Sequence, residues 1–152
     1  MMLHHEPLSS NRLISVGVDL IMIHRLRRVL KRNPQFLHKL CRPEEQAERC
    51  FHEGDGLIRA TRLWTVKEAA VKCLGTGFWR RGVEWTDFAV HILDHPLAHP
   101  SRSDSAVIYQ EVFIKTYGVA QQLMPHCSLS GQFEVIDGVG LARVHLYEHL
   151  EK

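Results

Sequence analysis

A chain of 152 residues, 45% hydrophobic and 24% charged, has the make-up of one globular domain with room for a buried core. Its formal net charge of +2, with 11 histidines taken as neutral, falls short of the basic excess on which nonspecific nucleic-acid binding depends. No segment approaches the roughly 18 consecutive apolar residues of a membrane span, and residues 1–7 have neither a basic start nor an apolar run, so the expectation is a cytoplasmic protein with neither membrane nor nucleic acid as partner.

Residues 1–12 read as a flexible polar lead-in and residues 13–152 as a single domain. Residues 13–20 are apolar and β-branched, the pattern of a buried strand that brings Asp19 to its end. From Ile23, the apolar residues Leu26, Val29 and Leu30 keep helical spacing while Arg25, Arg27, Arg28, Lys31 and Arg32 fill the other faces, and Asn33-Pro34 stops the helix. Phe36-Leu37 and Leu40-Cys41 predict a short second helix. Pro43-Glu44-Glu45 opens a third, with proline at its entry and acids at its positive end, running toward Phe51.

Residues 57–74 form the longest predicted helix, closed by Gly75-Thr76-Gly77. Val83, Trp85, Phe88, Val90 and Ile92 alternate as a strand, with a slip near Asp87 that predicts a bulge or bend. Residues 95–104, with two prolines and two serines, read as a surface loop, and residues 106–124 join a strand-like start to a helix. Two apolar β-type runs at 127–136 and 139–147 flank Asp137-Gly138, a hairpin turn. The expected fold class is α+β, helices packed on a small, mostly antiparallel sheet. Cys41, Cys50, Cys73 and Cys127 lie far apart with no CxxC pair, which predicts reduced, buried thiols rather than a zinc or redox motif.

Two carboxylates stand out. In Trp64-Thr65-Val66-Lys67-Glu68-Ala69-Ala70-Val71-Lys72 a helix sets Glu68 and Lys72 four residues apart on one face. Such a pair is a common surface ion pair. Just before a Gly-Thr-Gly loop it also suits a metal–phosphate site, because magnesium favours carboxylate and phosphate oxygens. Asp19, closing an apolar strand, needs a metal or hydrogen-bond donors to offset burial, or else caps the basic helix that follows. Five of the eight residues 25–32 are Lys or Arg, which is either a solvated face or a docking surface for an acidic partner.

The ordered set of motifs resembles the holo-acyl-carrier-protein synthases of the 4'-phosphopantetheinyl transferase superfamily. Val16-Gly17-Val18-Asp19, with Arg25 six residues on, is similar to that family's opening signature, and Phe36 with Leu40-Cys41-Arg42-Pro43-Glu44-Glu45 to its next landmark. The segment Trp64 to Lys72 looks like the motif W-(S/T)-x-K-E-A-x-x-K, followed by the matching Gly75-Thr76-Gly77. The resemblance implies a magnesium-dependent transfer of the phosphopantetheine arm of coenzyme A, the co-substrate, to a serine of an acyl or peptidyl carrier protein. It implies Asp19 and Glu68 as metal ligands, Glu68 and Lys72 as catalytic groups, and Lys67, Lys72, Gly75, Thr76, Gly77 and Ser130 as coenzyme A contacts. Arg25 and Arg28 would meet the carrier, and a chain of this length would assemble its sites between the subunits of a homotrimer.

Two departures are visible. The family's C-terminal Ser-x-Ser-His has its counterpart in Ser128-Leu129-Ser130-Gly131, with glycine in the histidine's place, and the motif's usual arginine is replaced by Leu63, with Arg62 one residue earlier. A histidine restored at position 131 is expected to tighten coenzyme A binding, with His126 and His145 as alternative compensations. The alternative reading is a non-catalytic carrier-binding paralogue that has lost coenzyme A.

Overall fold

The computed structural model describes residues 11–47, 56–75, 80–93 and 108–150. In chain order these form β1 (Asn11–Met22), α1 (Ile23–Arg32), α2 (Phe36–Leu40), α3 (Pro43–Ala47), α4 (Gly56–Cys73), β2 (Phe88–Ile92), β3 (Ile108–Thr116), α5 (Gly118–Leu123), β4 (Cys127–Ile136) and β5 (Val139–His149). The five strands make one sheet in the order β1-β5-β4-β3-β2, every neighbouring pair antiparallel. This is the expected α+β architecture. Thr76 and Gly77, Cys50 and the predicted loop at 95–104 lie outside the described residues.

The hairpin of β4 and β5 turns at Asp137 and Gly138, with φ of 49° and 75°, the two positive values that a two-residue turn of the right twist requires. The Gly138 carbonyl accepts the Ile23 N–H at 2.9 Å, so this turn abuts the entry of α1.

Helix α4 lies across β1 and β5 where those strands lack side chains. A Cβ on Gly17 would fall 1.9 Å from the Ala69 carbonyl oxygen, and one on Gly140 would fall 2.2 Å from Thr61 Cγ2. Only glycine permits backbone to approach this closely. The core then fills with Leu63, Val66, Ala69 and Ala70 of α4 against Val112, Ile114, Leu129, Phe133, Ala142 and Val144 of the sheet.

Three boundaries differ from expectation. Asn11 and Arg12 belong to β1, paired with His149 and Glu148, so the lead-in is shorter than 12 residues. Strand β1 continues three residues past Asp19, and the residue capping α1 is Met22, with no side-chain cap bond, so Asp19 is not a helix cap. Trp85–Asp87 is a 3-10 turn rather than strand, fixed by reciprocal bonds between Glu84 and Asp87, and the strand begins only at Phe88, its first three residues all buried rather than alternating. Cys41 and Cys73 are buried free thiols and Cys127 is a half-buried one; no helix among the described residues is long and apolar enough to cross a membrane.

Candidate functional site

From Arg59 to Cys73, α4 is buried on all sides except at three positions: Trp64, Glu68 and Lys72. Their spacing of four makes them a single line along one face. A helix this enclosed is ordinarily apolar all round, so the one solvent-reaching stripe is where polar function concentrates.

Asp19 meets that stripe from the sheet. In β1 the residues on its side of the strand, Gly17 among them, face α4, and the absent side chain at Gly17 lets the helix settle close enough for Lys72 to reach the strand. The Lys72 ammonium donates to Asp19 Oδ1 at 2.9 Å and to the Val18 carbonyl at 3.0 Å. The expected alternative, a Glu68–Lys72 surface pair, is thus displaced by a bond from helix to strand. Asp19 is 14% exposed at its side chain and Lys72 51%, so the ion pair itself adds little stability.

Burial pushes the Asp19 carboxyl above its ordinary range, against the lowering effect of the Lys72 bond. Glu68 is also pushed up, first by burial and then by the nearby negative charge of Asp19, while Lys72 acts in the opposite sense. Two carboxylates both raised by burial, one of them also by the other's charge, favour either a shared proton or a bound cation. Asp19 Oδ2 decides between bland and functional readings: it is buried with no hydrogen-bond partner among the described residues, and such an oxygen is costly unless something positive faces it. The pair therefore fits a divalent cation of the oxygen-preferring kind, one that keeps waters and ligand phosphates in its remaining positions. No group of three or more His, Cys, Asp or Glu converges among the described residues, which argues against an all-protein cage such as a structural zinc site.

Several expected residues are placed elsewhere. Lys67 is fully buried, and its ammonium bonds Glu45 Oε1 at 2.6 Å and the Leu40 carbonyl; one residue along the helix from Glu68, it points into the core and is not a phosphate contact. Ser130 lies on the opposite face of the sheet from α4, since Leu129 and Gly131 on either side of it are buried on the helix side. Arg62 is buried and bonds Gln110 at 3.0 Å, so it does not replace the arginine missing at Leu63. His145 sits in register with Ser130 and packs on Tyr147, and His126 occupies a left-handed turn with φ 63°. Gly75, with φ of 68°, accepts the left-handed conformation that ends α4, and its N–H bonds the Lys72 carbonyl at 3.0 Å.

Gly131 overturns an expectation outright. It lies mid-strand, between Val112 and Val144, and a Cβ there would stand 2.0 Å from the Arg143 carbonyl oxygen. Both Gly131→His and Gly131→Ala are therefore expected to destabilise the fold by about 1–3 kcal/mol or more, and neither tightens coenzyme A binding. Urea unfolding midpoints of the two variants test this, and a histidine variant of wild-type stability would contradict the packing.

Sequence reasoning missed two features. The turn carrying Trp85 hides in a segment read as strand, although the Glu84–Asp87 spacing is the signal of a helical turn. Glu45 was legible only as a helix-entry acid; its carboxylate in fact closes the Lys67 pair.

Fold and site together define an α+β protein whose centre, two carboxylates and an ammonium at the seam of a strand and a helix, suits a divalent cation and an anionic ligand. The family model for the 4'-phosphopantetheinyl transferase superfamily matches residues 15–122. The chain belongs to that superfamily. It is 36% identical over 79 residues to the holo-[acyl-carrier-protein] synthase of Solibacter usitatus, covering 51% of this chain and 62% of that protein. It is 28% identical over 111 residues to that of Hydrogenovibrio crunogenus, covering 73% and 79%. The chain thus spans a little over six tenths of the Solibacter relative. Among solved structures, the holo-[acyl-carrier-protein] synthase of Helicobacter pylori in complex with coenzyme A superposes with a TM-score of 0.64 at 21% identity, covering 87% of this chain and 99% of that one. The Neisseria meningitidis synthase gives 0.63 at 24% identity, covering 93% and 100%. These last two likenesses establish the fold.

Proposed function

We propose that this chain transfers the 4'-phosphopantetheine arm of coenzyme A to a serine of an acyl or peptidyl carrier protein, with magnesium. The observation that carries the reading is the solvent-reaching stripe of α4 meeting Asp19, whose second carboxylate oxygen is buried without a partner. Asp19 and Glu68 would hold the cation, which supplies Lewis-acid neutralisation of the pyrophosphate charge. Phosphoryl transfer asks the protein mainly for positioning and electrostatic stabilisation. Lys72, half exposed and anchored on Asp19 and Val18, has the placement to offset charge on the transferring phosphate. Glu68, with its affinity for protons raised by burial, suits removal of the serine proton as that oxygen attacks phosphorus and the bond to the nucleotide breaks. Gly75 and the adjoining Thr76-Gly77 are proposed to line the phosphate side.

Helix α1 starts four residues after Asp19 on the same strand, and Arg25, Arg27, Arg28, Lys31 and Arg32 are all exposed. Carriers of this chemistry are acidic, so the basic face is proposed as their docking surface. Arg25→Glu and Arg28→Glu are expected to raise KM for the carrier without weakening coenzyme A; equal weakening of both substrates would remove the helix from the interface.

A homotrimer is proposed on two grounds. The open face of β1 exposes Val16, Val18, Leu20 and Met22, each between 47% and 61%, an apolar column that a second copy would cover. Ser130, turned away from its own chain's Asp19, would then serve coenzyme A bound to a neighbour. A monomer by light scattering at assay concentration would withdraw Ser130 from the site.

The reading is tested by incubating the protein with coenzyme A, magnesium and a panel of apo carrier proteins, and weighing each carrier intact. The expected result is a phosphopantetheine adduct on at least one carrier. Absence of any adduct, with carriers still bound, would favour the non-catalytic paralogue.

A further inference from the structure

We infer that Lys72 couples the two ligands of the centre: its ammonium holds Asp19, so a divalent cation binds weakly by itself and more tightly together with a diphosphate that draws the ammonium away. The inference rests on the proposed metal and phosphate roles of this site and adds how the one affects the other.

The Lys72 ammonium sits on Asp19 Oδ1 at 2.9 Å and on the Val18 carbonyl at 3.0 Å. Asp19 Oδ2, on the same carboxylate, is the buried oxygen with no hydrogen-bond partner among the described residues. One carboxylate is thus drawn on from one side by an ammonium and left open on the other. Burial raises the proton affinity of Asp19 and Glu68 alike, and the Lys72 charge opposes the rise in both, so each acid proposed to hold the cation feels the same ammonium. Like charges this close in a half-buried site repel. A divalent cation entering alone must either bear that repulsion or detach the ammonium.

Detachment is open to Lys72 and closed to Lys67. The Lys67 side chain is 0% exposed and the Lys72 side chain 51%, and the packing of this last turn is carried by the buried Val71 and Cys73 on either side of Lys72. An ammonium on a flexible four-carbon stem can turn to another anion without disturbing α4. Lys72 stands three residues before Gly75, where the phosphate side is proposed, so a bound diphosphate offers it an anion beside the one it leaves. The cost of leaving Asp19 then arises once for the two ligands together, whereas each ligand alone meets it in full. A cost shared in this way is a positive coupling, and it is reciprocal. Its size is bounded by the ion pair it breaks, which at this exposure corresponds to about 5-fold at most.

Calorimetric titration of the full chain with Mn²⁺, alone and with saturating coenzyme A, gives both affinities and their ratio. Wild type is expected to bind Mn²⁺ more tightly with coenzyme A present. Lys72→Met keeps the stem and removes the charge, and it is expected to bind Mn²⁺ alone about 5-fold more tightly than wild type, with the enhancement by coenzyme A reduced by a similar factor. Lys72→Arg keeps a cation and is expected to retain the weak binding of Mn²⁺ alone. Because the pair adds little stability, both variants are expected to unfold at the wild-type urea midpoint. An unchanged affinity of Lys72→Met for Mn²⁺ alone overturns the inference, and so does a weakened one, which would make Lys72 an outer hydrogen bond that orients Asp19. An enhancement by coenzyme A of equal size in Lys72→Met and wild type also overturns it, and leaves the transferase reading intact. A wild-type chain that shows the coupling but modifies no carrier ends the transferase reading and leaves the inference standing. If wild type binds no Mn²⁺ in either condition, the inference fails with the metal site.

Discussion

Asp19→Asn and Glu68→Gln are each expected to slow carrier modification on the order of 10²–10³-fold, the scale of losing one group aimed at charge in the transition state, while the fold remains intact. The two halves of this result have one cause. Both carboxyls are held above their ordinary pKa, mainly by burial, so the folded state binds their protons more tightly than the unfolded chain does. For an acid shifted in this direction the stabilisation is fully present below the unfolded-state pKa and is lost as pH rises through the folded-state value. At neutral pH the two ionised groups therefore cost stability, and neutral amides of the same shape remove that cost. Thermal melts of wild type should show stability declining as pH rises out of the acid range, and each amide should flatten that decline. Added Mg²⁺ should raise the wild-type midpoint at neutral pH, since it binds the folded state alone, and should leave the variants where they are. Variants that transfer at near the wild-type rate would sink the site; variants that fail to fold would show the carboxylates to be structural.

Much of this was readable in the residues, for identifiable reasons. The hairpin at Asp137-Gly138 and the helix at 56–73 come from local rules, turn chemistry and an absence of breakers, that tertiary context had no cause to override. Glu68 and Lys72 were legible because helical spacing is fixed, so four residues apart means one face. What the spacing left undecided was which face. Lys67 and Glu68 are neighbours in sequence, yet one enters the core and the other the site, and the difference is set by Glu45, Leu40 and Asp19, residues far from them along the chain. Which face of the sheet Ser130 and Gly131 take was not legible for a related reason. In a strand the side-chain period of two assigns alternate residues to opposite faces, and the phase of β4 is fixed by pairing with β3 and β5, which no motif in its own sequence records.

The buried pair that misled the reading of Lys67 also predicts a large effect on stability. Lys67 is wholly enclosed, with Glu45 2% exposed at its side chain. Burial pulls the Lys67 ammonium below its ordinary pKa and the Glu45 charge works against that pull. Glu45 has a second duty: its Oε2 accepts the Val90 N–H at 2.9 Å and its Oε1 the Arg42 N–H at 2.8 Å, so one carboxylate ties α3 to β2 as well as to α4. Removing the cation alone strands this charge, and Lys67→Met is expected to cost about 3–5 kcal/mol, the usual penalty for breaking a buried pair from one side. Adding Glu45→Gln should recover part of the loss, because the amide oxygen still accepts from Val90 and no charge remains to be desolvated, although the amide NH2 then faces the Arg42 N–H that the carboxylate had accepted. Urea unfolding of the two singles and the double measures the coupling; strictly additive losses would show that the two groups do not act as a pair. Activity then separates the core role from the phosphate contact that sequence suggests. The double variant retains Asp19, Glu68 and Lys72 and should transfer at close to the wild-type rate, whereas a loss of coenzyme A affinity in a stably folded double variant would return Lys67 to the site.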